Sequence, residues 1–350
     1  ALDRTPPTLT IVRPAPDGFV PAQAAVRGSV EDAHLAEYAI TAAPAGGAPV
    51  ELAHAFQNRV DVDLAGLGAL AEGPHVLVMA AEDRALNRSR LERPFVVDST
   101  PPRAAIQSPL EGAFLLRGDL PVRVTGLVGD DHLEEWTLRF GAGRAPASVE
   151  PLAQGTTGGN GLALAEWGVR HLPDGPFALV LSATDRAGLA SESRVTVTLD
   201  GQPPTVALTA PADGRYVTKP TAIVGTAADA NLVAWTLEAA PGDTSSAFQW
   251  SPMADARESV EDGTLAEWSP LPPDGVYTLR LTARDRVDLD AAARVTVTVD
   301  TTPPAPPTGL RSTVTRSVRD GYGDVAVAWD ASSEADLAGY RVLRDDLELS

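Results

Sequence analysis

Cysteine is absent from the 350 residues. Disulfides, zinc–thiolate sites and thiol nucleophiles are absent with it. Lysine is nearly absent as well. Of 28 basic residues only Lys219 is a lysine; the others are arginines scattered among 47 acids, and the net charge is −19. A chain this acidic repels phosphate backbones, which argues against nucleic acid as a partner. No apolar run approaches the ~18 residues that span a bilayer, so no membrane insertion is expected in this segment. The catalytic patterns HExxH, GxSxG and CxxC are missing. The glycine-rich stretch GTTGGNG from Gly155 lacks the Lys–Ser/Thr of a phosphate cradle and reads as a flexible loop. The chain opens on Ala1-Leu2-Asp3-Arg4, with neither an initiator methionine nor a basic-then-apolar leader. Either a removed signal or an internal piece of a longer chain is expected.

The sequence instead carries repetition. A boundary phrase recurs as DRTPP from Asp3, DSTPP from Asp98, DGQPP from Asp200 and DTTPP from Asp300, at spacings of 95, 102 and 100 residues. Within each unit a second phrase recurs: GSVEDAHLAEYAI from Gly28, GLVGDDHLEEWTL from Gly126 and GTAADANLVAWTL from Gly225. A third reads HLPDGPFALVLSATDRAG from His171 and PLPPDGVYTLRLTARDRVD from Pro270, with a divergent version from Ala71. A period near 100 is too long for a solenoid and fits a whole domain copied in tandem. The expected units are 1–98, 99–200 and 201–300, followed by 301–350.

Runs such as FALVLSA and YTLRLTA alternate apolar and polar residues with period two, rich in Thr and Val and separated by Gly, Pro and Asp. No long helical stripe competes with them. Seven or so short strands per hundred residues predict an all-β chain of two-sheet sandwiches. The double prolines cannot sit inside a ladder, so each should stop one unit's last strand and stiffen the joint to the next. Beads on a string are the expected arrangement.

These phrases resemble bacterial immunoglobulin-like modules over about residues 1–300, through LPDGxYxLxLxAxDxAG and the VDTTPP joint. The stretch PPAPPTGLRS to VLRDD resembles the first half of a fibronectin type III module. Trp329 would then be the core tryptophan of its second strand, and Tyr340 would lie on the third. The resemblance implies immunoglobulin-like β-sandwiches and a spacer role, as such modules serve in large exported proteins. Half a module leaves strand edges open, so the native chain is expected to continue past Ser350. Tyr277 matches a tyrosine corner, with Phe177 and His75 at the corresponding positions. Trp136 and Trp235 match the core tryptophan, with Tyr38 in their place in the first unit.

Chemistry is sparse. His34 and His132 are repeat-equivalent, but the third unit has Asn231, so a copied catalytic base is not expected and neither is an enzyme. Asn87-Arg88-Ser89 is a formal glycosylation sequon. Trp167 and Trp268, each after Leu-Ala-Glu, read as core or strand-edge packing, with a carbohydrate platform as the alternative. The aspartates are the sharper candidates. In an immunoglobulin-type topology the boundary Asp, the Asp of the second phrase and the Asp of the third should meet at one pole. That groups Asp98, Asp131 and Asp185 at the first joint and Asp200, Asp229 and Asp285 at the second, with Asp3, Asp32 and Asp83 at the start. Three carboxylates could take calcium at ~2.3–2.6 Å. The competing reading is turn-capping, with Asp185-Arg186 and Asp285-Arg286 as surface ion pairs.

The expected function is a non-catalytic stalk of a large exported bacterial protein, extracellular or at the cell surface. It would space or present neighbouring domains of the same chain, with adhesion to a surface glycan or protein. Alternatives are accessory modules of a secreted polysaccharide-degrading enzyme or peptidase, and the non-catalytic part of a YD-repeat toxin.

Overall fold

The computed structural model describes residues 3–243, 249–316, 323–334, 337–344 and 347–348. The expectations drawn from Ala1 and Ser350 lie outside them. The described residues are all-β, in repeated sheets, and two compact units divide the chain after Gln202.

The first unit holds two copies of one pattern. The first copy comprises β1 (Thr8–Arg13), β2 (Gly18–Val20), β3 (Ala25–Glu31), β4 (Leu35–Pro44), β5 (Val50–Ala55), β6 (Arg59–Gly66), β7 (Gly73–Asp83) and β8 (Arg88–Val97). One sheet runs β1-β3-β6 and the other β2-β8-β7-β4-β5. All pairings are antiparallel except β2 with β8, which is parallel. The second copy comprises β9 (Arg103–Ser108), β10 (Phe114–Leu116), β11 (Val122–Gly129), β12 (Leu133–Ala142), β13 (Glu150–Gly155), β14 (Gly159–Trp167), β15 (Gly175–Asp185) and β16 (Ala190–Asp200). Its sheets are β9-β11-β14 and β10-β16-β15-β12-β13, with β10 parallel to β16.

The second unit repeats the pattern once. Its strands are β17 (Thr205–Ala210), β18 (Tyr216–Val217), β19 (Thr221–Ala228), β20 (Leu232–Pro241), β21 (Ser251–Ala256), β22 (Val260–Trp268), β23 (Gly275–Asp285) and β24 (Asp290–Val299). The sheets are again three- and five-stranded, with β18 parallel to β24. Beyond them, β25 (Arg311–Arg316) pairs with β26 (Gly323–Ala328), and β27 (Leu343–Arg344) with β28 (Leu347–Glu348). Trp329 and Tyr340 pack edge to face, 5.1 Å between centroids. Val314, Val325 and Val327 stay exposed.

The alternation read from the sequence explains the cores. Side chains two apart on a strand share a face. On β7, His75, Leu77, Met79, Ala81 and Asp83 point inward. The same face of β15 holds Phe177, Leu179, Leu181, Ala183 and Asp185. Each copy has its own hydrophobic cluster, around Ile40 and Met79, Trp136 and Leu181, and Trp235 and Leu281. Tyr38, Trp136 and Trp235 take their expected buried places. The glycine opening the second phrase lets two strands approach. A Cβ on Gly28 would lie 2.1 Å from the Thr10 carbonyl oxygen, and one on Gly225 2.3 Å from that of Ala207.

The core-packing reading of the two tryptophans holds over the carbohydrate-platform alternative, and one expectation is corrected. Trp167 is 1% exposed and Trp268 6%, so neither offers a face to a sugar. Trp167 packs against Phe140 and Phe177, and Trp268 against Tyr277. Nor is GTTGGNG a free loop. Gly155 ends β13, Thr156, Thr157 and Gly158 make the turn, and Gly159, Asn160 and Gly161 open β14. A Cβ on Gly155 would sit 2.7 Å from the Trp136 ring, so the glycine makes room for the indole. The Trp136 Nε1–H donates to the Thr157 carbonyl at 3.1 Å.

Candidate functional site: the acidic corners

Each copy brings loops together where its β3-, β11- or β19-type strand turns into the next. In the first unit two such corners gather histidine and carboxylates. Asp3, Asp32 and His34 form one, and Asp98, Asp130 and His132 the other, each with ligand atoms within 4.8 Å of one another.

The local folding is the same in both. The boundary aspartate caps the residue two ahead: Asp3 Oδ1 accepts from the Thr5 N–H at 3.0 Å and Asp98 Oδ1 from the Thr100 N–H at 3.2 Å. The loop aspartate does likewise, with Asp32 capping His34 and Asp130 capping His132, both at 2.7 Å. This is the short-range chemistry that makes Asp a turn residue. The second boundary oxygen then receives the histidine: His34 Nδ1 lies 3.0 Å from Asp3 Oδ2, and His132 Nδ1 2.9 Å from Asp98 Oδ2. Asp98 is held from behind, its N–H donating to the Val20 carbonyl at 3.0 Å. The His132 ring packs on Phe19 of the first copy at 4.8 Å, and the Arg186 guanidinium lies 4.9 Å over the Phe19 ring.

The third aspartate closes each corner from the end of β7 or β15. Asp185 pairs across the ladder with Leu133, and the next residue, Arg186, donates its N–H to the His132 carbonyl at 3.0 Å. Asp83 sits in the same register opposite Leu35. Both are fully buried. Asp83 is satisfied: Oδ1 accepts from the N–H groups of Ala85 and Asn87, and Oδ2 from the Asn87 amide at 2.7 Å. These bonds outweigh burial and hold its carboxyl below the usual range. Asp185 Oδ1 accepts from the Leu189 N–H at 2.8 Å, but Oδ2 has no hydrogen-bond partner. Burial first, and the charges of Asp98 and Asp130 after it, push this carboxyl up.

The expected grouping is therefore amended. The corner takes Asp130, the true repeat equivalent of Asp32 and Asp229, while Asp131 is exposed and absent from the cluster. Asp185 and Asp285 are buried strand ends, not halves of surface ion pairs with the following arginines. Of the remaining three, Asp200 ends β16 in the first unit and caps the Gln202 N–H at 3.1 Å. Asp229 and Asp285 belong to the second unit. Asp229 caps Asn231, and Asp285 Oδ1 accepts from Val287 and Leu289 while its Oδ2 is unpartnered. The histidines and Asn87 were missed as corner residues, although the shared Asp-x-His spacing was in view. Tyr277 does form the expected corner, its hydroxyl donating to the Pro273 carbonyl at 3.0 Å.

The Asp98 corner fits calcium in part. Its carboxylates suit a hard cation, but the imidazole nitrogen does not, because calcium takes oxygen.

No protein-family model and no curated protein matches the chain. Among solved structures it is similar to a tetra-tandem repeat in the extending region of a large adhesion protein, at 18% identity over 92% of this chain and 88% of that one, with a TM-score of 0.37. It is also similar to a structure described for host cell surface retention of a 1.5-MDa bacterial ice-binding adhesin, at 16% identity over 86% and 100%, TM-score 0.31. A third is a Ca2+-stabilized adhesin that helps an Antarctic bacterium reach out and bind ice, at 20% identity over 91% and 79%, TM-score 0.32. Scores this low assign neither function nor ligand. Among the described residues no helix is long and apolar enough to cross a membrane.

Proposed function

We propose that this chain is a non-catalytic spacer: consecutive immunoglobulin-like sandwiches over 1–98, 99–200 and 201–300, then the start of a fibronectin type III-like module over 301–350. It would belong to a longer extracellular or surface chain and hold neighbouring domains apart. The observation that carries this reading is the threefold copy of one sandwich, each with a separate closed core. Among the described residues, the repeated aspartates of the copies cap turns or close the corners. The staple of Phe19, His132 and Arg186, with Asp98 beneath it, suits a joint that restricts bending between the first two copies. A divalent cation at the Asp98 corner would brace that joint further. The exposed valine face of β25 and β26 suits a module completed by more chain.

Small-angle scattering tests the spacer role. A strand of ten residues spans about 33 Å, so three sandwiches end to end reach roughly 100 Å. A globule of this length would have a radius of gyration of about 20 Å. A measured radius near that value would sink the spacer reading; one well above it, with a maximum dimension beyond roughly 100 Å, is expected.

A further inference from the structure

We propose that the outer edge of β5 is an association surface for a second copy of this chain, which pairs with it antiparallel, β5 against β5, and joins two chains side by side at their first sandwiches. β5 is the terminal strand of its five-stranded sheet, as β13 and β21 are of theirs. An open edge invites further strands, and natural sheets block it with proline or charge. The second and third copies do so. Pro151 pairs with Arg139 and Pro252 with Glu238, and proline has no N–H to offer a further strand. The first copy has Glu51 at that position, opposite Thr41. The inner ladders of β13 and β21 stand without a donor there, so that of β5 needs none from Glu51, whose N–H can serve an outer one.

The neighbouring side chains change in the same sense. The first copy has Val50, His54, Phe56 and Val60. At these places the second has Glu150, Gln154, Thr156 and Asn160. The third has Ser251, Asp255, Arg257 and Glu261. Phe56 is 64% exposed and Val60 59%. The copy that lacks the proline is thus the one that turns apolar side chains outward beside its edge, and such a patch marks an interaction surface.

The strand complements itself, which selects a second copy as the occupant. A bulge at Leu52 shifts the register, so that Glu51 aligns with Thr41 and His54 with Ala39. Thr41 and Ala39 are two apart on β4, so Glu51 and His54 share a face. A twofold axis between Leu52 and Ala53 then sets Glu51 across from the partner's His54, acid against base, twice in one seam. His54 Nε2 lies 3.1 Å from Glu37 Oε2, which leaves Nδ1 to face the partner's Glu51. The same axis carries Phe56, whose ring packs on His54 at 4.9 Å, across from the partner's Pro49. A seam of six residues a side is small, so the pairing is transient in dilute solution. Chains held side by side on one surface meet at about millimolar effective concentration, where such a seam persists.

The test uses the full chain. Sedimentation between about 10 μM and about 1 mM should show a monomer–dimer equilibrium. Glu51→Pro installs the residue of the other two copies, and Phe56→Thr that of the second. Each should weaken dimerisation by about tenfold or more. Thermal melting shows which variants fold, and Phe56→Thr decides if Glu51→Pro does not. The register has its own test. Glu51→Lys sets a base against the partner's His54, and His54→Asp, the third copy's residue, sets an acid against the partner's Glu51. Either variant alone should pair weakly, and an equimolar mixture of the two should pair about tenfold more tightly than either. A parent chain that is single at about 1 mM, folded Glu51→Pro or Phe56→Thr variants that pair like the parent, or a mixture no tighter than its components would each overturn the proposal. None of these outcomes touches the spacer reading, which scattering at a dilution where the chain is single decides separately.

Discussion

Asp83 and Asp185 occupy the same place in two copies of one sandwich, and their carboxyls shift in opposite directions. Both end an inward-facing row, both are fully buried, and both cap the turn that follows. One difference is a side chain four residues on. Asn87 donates to the second oxygen in the first copy, and Leu189 cannot in the second. Burial alone therefore does not decide the state of a carboxyl; the donors aimed at it and the charges beside it do as well. Duplication has preserved the fold while leaving one copy's corner satisfied and the other's open.

The largest effect lies in the same core, at the end of the sandwich away from the corner. Trp167 fills the second core where Leu67 serves in the first, its N–H bonded to the Ala24 carbonyl. Trp167→Ala should cost about 3–5 kcal/mol, read by denaturant melting of the full chain. An unchanged melt would show that the indole is not a core residue and would reopen a surface role for it. Next, Asn87→Leu should convert the first corner into the second. It strips a donor from a buried oxygen, and the first sandwich should melt several degrees lower. A melt like the parent's would mean that the amide is dispensable and the comparison empty.

Acid titration of the chelated protein sharpens it further. The folded pKa of Asp83 is depressed, so its stabilising bonds are in force above the unfolded value of ~3.9 and are lost as pH falls toward the folded value. For Asp185 the folded pKa is raised. The native state holds its proton longer, so stability declines as pH rises from ~3.9 through the folded value and then levels. Leu189→Asn should flatten or reverse that second limb. Limbs of the same sign in the two copies would contradict the assignment. The smallest effect belongs to the corner hydroxyl. Tyr277→Phe makes the third copy like the second and should cost about 0.5–1.5 kcal/mol, toward the lower end because the bond to Pro273 is exposed.

Much of this was legible in the residues. Period-two alternation located the strands, and the repeated phrases aligned the copies before any coordinates. The turn-capping reading of the aspartates also appears in the hydrogen bonds. What escaped were consequences of the same alternation carried one step too short. In FALVLSATD the inward row runs Phe177, Leu179, Leu181, Ala183 and then Asp185, so the buried aspartate was readable from the pattern. Counted from Gly126, the repeat register likewise selects Asp130 over Asp131. The histidine contacts were harder, because they join residues 31 and 34 positions apart across a joint whose geometry no local pattern specifies. Asn87 looked like a sugar acceptor by its neighbours, while its amide is committed to Asp83 and to the Asp3 carbonyl.

In every copy the short strand after the entry, β2, β10 or β18, lies parallel to the last strand, and the chain leaves from the end of that last strand. A pull on the two ends of such a sandwich draws these neighbours past each other along their length. Their hydrogen bonds lie across the direction of pull and must yield together in shear, rather than opening one at a time like a zipper. A chain stretched between two anchors would thus meet its resistance at the small patch where Phe19 pairs with Val96, Leu115 with Leu199 and Tyr216 with Thr298.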